Sequence, residues 1–159
     1  KNIIKKTRLY VTRKNASYRK IINESNLIDE LKLKNFQIID TENMPVNEQI
    51  NIFSSAEVVI SATGSGLTNI VFCNEGTNIV EIQPKYTKKF EDVFKRRYSD
   101  ICKQLNLKYF SLKADSIKSE LINTNSENKF INPNAIKESN YYNNLLVKKT
   151  EFKKLIDQF

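Results

Sequence analysis

The chain has 159 residues, a formal net charge of +8, 40% hydrophobic residues, two cysteines and no histidine. That length suits one domain, or one domain with a tail, and can bury a sizeable core. The absence of histidine excludes an imidazole base, a histidine-dependent triad and the usual zinc site within this segment, and no apolar run approaches the roughly 18 residues that cross a bilayer. Asn, Lys and Ile together make 60 of the 159 residues, the bias an AT-rich coding sequence produces. The basic residues are therefore scattered rather than gathered into a stripe with interleaved aromatics, and no specific nucleic-acid partner is expected; a modest pull on anionic ligands is what the charge supports. Cys73 and Cys102 match no metal spacing and sit in apolar segments, as buried free thiols do. A start at Lys1 rather than Met is expected of a piece of a longer protein.

In chain order, "RLYVT" (8–12) has strand character, and "NESNLIDELKLK" (23–34) places Leu27, Ile28 and Leu31 at helical spacing behind a capping Asn23 or Ser25. "FQIID" (36–40) predicts a strand, and "MPVNEQINIFSSA" (44–56) a helix with Ile50 and Phe53 on one face. "EVVIS" (57–61) is the continuous apolar run of a strand buried on both sides. "LTNIVFC" (67–73) starts a helix that Gly76 ends, followed by strand "NIVEI" (78–82), a long amphipathic helix over 88–105 and strand "LKYFSL" (107–112). Strands separated by helices predict βαβ units, hence an α/β, Rossmann-like, mostly parallel sheet flanked by helices. The domain so defined spans 1–113. From 114 to 137 the text turns polar and Asn-rich, read as a loop or linker, and 138–159 recovers a helical period for a C-terminal helix that packs on this domain or on a missing one.

All three glycines of the chain, Gly64, Gly66 and Gly76, fall within thirteen positions. "VVISATGSGLTN" (58–69) is a buried strand, a turn with two glycines, and a helix start. In open α/β sheets ligands sit at the carboxyl ends of strands. Glycines there permit positive φ and close backbone approach, and a helix beginning near Leu67 would aim unpaired N–H groups at a phosphate or diphosphate. The competing account is that such a turn needs glycine for geometry alone. No third glycine follows at GxGxxG spacing and no Lys-Ser/Thr pair follows, which disfavours a dehydrogenase or a P-loop ATPase.

Beyond the glycines, the order of motifs is Thr12–Arg13, Arg19, Ile22–Asn23–Glu24, Glu48–Gln49, Gly64–Ser65–Gly66–Leu67–Thr68–Asn69 and Val80–Glu81–Ile82. Over residues 8–84 this series resembles the family 61 glycosyltransferases, once catalogued as a domain of unknown function. The resemblance implies the C-terminal, nucleotide-sugar-binding half of a GT-B glycosyltransferase, with a nucleoside diphosphate sugar as donor substrate and no covalent cofactor. It further implies transfer, with inversion, to a hydroxyl of a glycan or protein acceptor, in polysaccharide or glycan synthesis such as that of a capsule. One departure stands out: where the family has His before the first glycine, this chain has Thr63. The donor-binding candidates are thus Arg13, Arg19, Glu48, Gln49, Thr63, Gly64, Ser65, Gly66, Leu67, Thr68 and Glu81.

Arg13 and Arg19 could clamp a diphosphate with bidentate hydrogen bonds, or stand solvated, with Arg19 paired to Glu24. Gln49 suits a base or sugar edge, while Glu48 could be only a favourable first-turn charge. Glu81, inside an apolar strand, needs a partner, either ribose hydroxyls or a Lys or Arg. No catalytic base is identifiable, and the missing N-terminal domain is one place for it. No Asp-x-Asp pair occurs, so a metal–diphosphate site of that kind is unsupported. Two rival readings stay open: a non-catalytic nucleotide-sugar-binding remnant, and a basic interaction domain with an acidic partner. A bacterial cytoplasmic setting is expected, with a secretory lumen as the alternative because "NAS" (15–17) and "NES" (23–25) are formal glycosylation sequons.

Overall fold

The structure is a computed structural model and describes residues 6–86, 96–118 and 143–159. Its strands are β1 (Thr7–Val11), β2 (Phe36–Ile39), β3 (Ala56–Ala62), β4 (Asn78–Pro84), β5 (Lys108–Ile117) and β6 (Asn144–Leu146). Among the described residues the α-helices are α1 (Glu24–Leu33), α2 (Val46–Ser54), α3 (Arg97–Gln104) and α4 (Lys149–Ile156), and a 3-10 helix spans Ser65–Phe72. The strands form one sheet in the order β2-β1-β3-β4-β5-β6, with all pairs parallel except the antiparallel β5–β6 edge.

Alternation along the strands builds two cores. On one face Tyr10, Val58, Ile60, Val80 and Ile82 pack with Leu27 and Leu31 of α1 and with Phe152 and Ile156 of α4. On the other, Leu9, Val11, Val59 and Ile79 pack with Phe53 of α2, with Leu67 and Ile70 of the 3-10 helix, and with Tyr98 and Cys102 of α3. β3, flanked by strands and covered on both faces, carries the apolar run Val58–Ile60 at its centre, with Glu57 before it ion-paired to Arg8. The chain runs from β1 outward to β2, then crosses back to β3 on the far side of β1. Right-handed crossovers in opposite directions put α1 and α2 on opposite faces, which leaves a crevice between the carboxyl ends of β1 and β3.

Several boundaries differ from the sequence reading, each for a physical reason. Within the segment expected to be helical over 138–159, the described part opens at residue 143 and enters β6, because Leu145 is buried between two backbones. Its strand pairs with β5, and its other edge exchanges hydrogen bonds with Lys20 and Ile22 in the loop after β1. Asn23 does not cap α1 through its side chain. Its amide pairs with both backbone groups of Val147, tying α1 to the chain after β6. β5 runs through Ile117, into the stretch read as a linker, since Asp115–Ile117 carries the β6 ladder. The helix expected over 88–105 is seen as α3; residues 87–95 lie outside the described residues, as do 119–142, the greater part of the polar stretch. Asn35 (φ 59°) and Asn106 (φ 53°) end α1 and α3 in the left-handed conformation that glycine more often supplies.

Candidate functional site

A cleft of about 450 Å³ opens at the carboxyl ends of β1, β2 and β3, at the crevice where strand order reverses. Val11 to Arg13 and the loop through Tyr18 form one wall, Asp40 to Glu42 another, and Ser61, Ser65 and Gly66 the third, with Gln49 and Asn69 between them.

Arg13 is held from several sides. Its Nη2 donates to the Tyr18 carbonyl (3.2 Å), closing the loop on itself, and the Ala16 N–H donates to the Arg13 carbonyl (3.0 Å). Beneath it, Glu24 at the first turn of α1 accepts from Tyr10 Oη (2.8 Å) and Thr12 Oγ1 (2.9 Å), fastening the end of β1. Burial, reinforced by the Glu24 carboxylate, pushes the Tyr10 phenol well above its ordinary range. Glu24 is thus engaged with Tyr10 and Thr12.

The glycines of the turn are explained by space and not by positive φ. Gly64 has φ 163°, an extended backbone open to any residue. A Cβ built on it would lie 2.0 Å from Arg13 Nη1 and 2.8 Å from Cζ, so the guanidinium occupies the volume a side chain would need. At Gly66 a Cβ would come within 3.2 Å of both Thr41 Oγ1 and Val11 Cγ1. Only Gly76 takes the left-handed conformation (φ 82°), in the turn that enters β4 rather than at the end of the preceding helix, which stops at Phe72. The Gly64 carbonyl accepts from buried Tyr98 Oη (2.6 Å) and from the Leu67 N–H (3.0 Å), pinning the turn to α3 and to its own 3-10 helix.

The structure brings Arg13, Ser65, Gly66 and Gln49 to the cleft, with Gly64 packed directly beneath Arg13. Gln49 acts as a buttress there: its Nε2 donates to the carbonyls of Met44 (2.7 Å) and Thr41 (3.3 Å), and its Oε1 accepts from Asn69 (2.7 Å). Arg19 sits just behind the wall, buried, at φ 58°, with its guanidinium 4.9 Å from the centre of the Tyr18 ring. Other candidates fall elsewhere. Leu67 is fully buried in the core, because the helix start turns it under the sheet. Thr68 is exposed on the 3-10 helix, and Glu48 is exposed on α2, lining a separate surface depression with Met44 and Ile52.

Glu81 and Thr63 belong to a buried polar group one strand further along. Glu81 is fully buried, and its Oε2 accepts from Tyr109 Oη (2.6 Å) and Gln83 Nε2 (2.7 Å). Burial raises its carboxyl above the usual range, while Tyr109, Thr63, Gln83 and Lys113 pull the other way. Gln83 in turn accepts from Lys113 and Ser111. Through Oε2, Glu81 is thus tied into a protein network.

Asp40, Glu42, Asn15 and Tyr18 also line the cleft and were not among the sequence candidates. Asp40 was the findable one: an acidic residue directly after an apolar strand run, at a βα turn. Among the described residues no three His, Cys, Asp or Glu side chains gather to hold a metal ion, and no helix is long and apolar enough to cross a membrane.

The family Glycosyltransferase 61 matches residues 1–80, the stretch that carries β1, the Arg13 loop, the cleft walls and the glycine turn. The chain belongs to the glycosyltransferase 61 family. Membership implies glycosyl transfer in outline, with a sugar donor and an acceptor. The matched stretch ends one residue before Glu81, so Arg13 and the glycine turn are inside it and the buried carboxyl is not. Comparison with the curated proteins finds no match.

Proposed function

We propose that this domain of the glycosyltransferase 61 family binds a nucleoside diphosphate sugar in the crevice between β1 and β3. The observation that carries the reading is the Arg13 guanidinium seated in the space left by the missing side chain of Gly64. It holds a fixed, delocalised cation at the turn from which the 3-10 helix starts. A diphosphate bridging Arg13, the Ser65 hydroxyl and the backbone of the turn would meet donors already oriented, and the same donors would stabilise the charge that develops on the leaving diphosphate. Arg19 supports the Tyr18 side of the wall.

In this reading the domain is the donor half of a GT-B enzyme that transfers the sugar, with inversion, to a hydroxyl of a glycan or protein. Inversion needs a general base to take the acceptor proton, and we assign that role to the other half of the protein. Cytoplasmic glycan or capsule synthesis fits the side chains at the two sequons. The Asn15 amide donates to Asp40 at the cleft and the Asn23 amide to Val147, bonds that a glycan on either nitrogen would crowd. Thr63, in place of the family histidine, favours a second reading, a donor-binding remnant without turnover; assay of transfer by the full-length protein separates the two.

The test is the thermal shift of the 159-residue chain with UDP, GDP, CDP and dTDP, and with a polyanion control, for wild type and Arg13→Ala. Stabilisation by one nucleoside diphosphate, lost in Arg13→Ala, is the expected result. Stabilisation by the polyanion alone would replace this reading with a basic interaction surface.

A further inference from the structure

The cleft is charged at both ends, and the second end narrows what the ligand must carry. Opposite the Arg13 loop, Asp40 closes β2 and lines the cleft beside Glu42. Among the described residues no lysine or arginine pairs with Asp40. Its carboxylate is held by two neutral donors instead: Asn15 Nδ2 to Oδ2 (2.9 Å) and the Glu42 N–H to Oδ1 (3.0 Å). A carboxylate offers about four acceptor positions, so the protein uses one on each oxygen and leaves one on each. Two fixed acceptors side by side suit two O–H donors on neighbouring carbons, and they repel phosphate.

We infer that Asp40 binds a vicinal diol of the ligand whose diphosphate lies at Arg13 and the glycine turn. This rests on the donor-site reading above. The cleft is thereby polarised, with the anionic part of the ligand at the β1–β3 crevice and its hydroxyl-bearing ring over the end of β2. Asn15 positions the carboxylate by fixing Oδ2. The diol comes either from the ribose or from the sugar that is transferred; both present the same paired hydroxyls.

Calorimetric titration of the 159-residue chain decides between them. The probes are the ribonucleoside diphosphate that binds best, its 2′-deoxy counterpart, and the corresponding glucose nucleotide, each against wild type, Asp40→Asn and Glu42→Gln. The readout is the affinity ratio, because removing either negative charge strengthens diphosphate binding generally. A ribose source predicts that wild type favours the ribonucleotide about tenfold, the factor carried by one charge-assisted hydrogen bond, and that Asp40→Asn brings the ratio near one. A transferred-sugar source predicts no preference for ribose but an advantage of about tenfold for the glucose nucleotide over the bare diphosphate, again lost in Asp40→Asn. Glu42→Gln keeps whichever ratio wild type shows. If Asp40→Asn does not fold, Asn15→Ala is the substitute, and the ratio falls severalfold as Oδ2 loses its anchor. Ratios unchanged in Asp40→Asn overturn the inference and leave the donor site standing; no nucleotide binding by wild type overturns both.

Discussion

Gly64→Ala is the substitution in which fold and site respond most differently. The backbone at Gly64 is extended, so alanine fits it without torsional strain and gains roughly 0.5 kcal/mol by restricting the unfolded chain. Its Cβ, however, would lie 2.0 Å from Arg13 Nη1, well over an ångström inside ordinary contact. The guanidinium is the far end of a flexible side chain and can retreat, giving up its bond to the Tyr18 carbonyl. A hydrogen bond from a charged group contributes about 1.5–3 kcal/mol when buried. Arg13 is half-buried, so about 1 kcal/mol is the appropriate loss. The net destabilisation expected of Gly64→Ala is therefore about 0.5 kcal/mol, whereas nucleoside diphosphate stabilisation is lost as fully as in Arg13→Ala.

Urea unfolding of wild type, both single variants and the double variant closes the cycle. In the Arg13→Ala background the alanine meets no guanidinium, so Gly64→Ala becomes neutral or slightly stabilising, and the coupling is about 1 kcal/mol. Two results refute the reasoning. One is additivity of the two substitutions within about 0.3–0.5 kcal/mol; the other is full nucleotide stabilisation of Gly64→Ala, which would show that the seat of Arg13 is irrelevant to the ligand.

Tyr98→Phe removes the hydroxyl that holds the Gly64 carbonyl and is expected to cost about 1 kcal/mol in urea unfolding; an unchanged midpoint would mean that α3 does not pin the turn. The raised carboxyl of Glu81 binds its proton more tightly folded than unfolded, so it lowers stability as pH rises from the usual carboxylate range through its folded pKa. Glu81→Gln should remove that decline, seen as a flatter pH profile of unfolding free energy above pH 4–5, about the ordinary glutamate value. Cys73 is pushed up to about 12 and Cys102 to about 11, burial being the first cause for each. Both thiols should therefore resist alkylation at pH 8 until the chain is unfolded, Cys102 because it is buried and half-buried Cys73 because its thiol stays protonated; rapid labelling of the native protein would contradict this.

The local code of this chain was legible in its residues. β-branched runs and 3.6-residue periods marked β1 to β5 and α1 to α3, since strands covered on both faces and amphipathic helices each leave their own repeat. The motif order from Thr12 to Ile82 was legible too, and with it the family. Three things needed the tertiary structure. β6 carries only three residues and owes its extended form to partners at Lys20–Ile22 and Asp115–Ile117, over a hundred and about thirty positions away, so its own letters suggested a helix. Asp40 and Asn15 meet in the cleft because the crossover from β1 to β2 brings two loops together, a proximity no spacing records. Gly64 shows the difference most directly. A glycine in a βα turn reads from sequence as backbone freedom, yet its backbone is ordinary, and the missing side chain is space for an arginine fifty-one residues earlier. Sequence periodicity reports how a segment meets its own element, whereas packing between elements decides what fills the volume beside it.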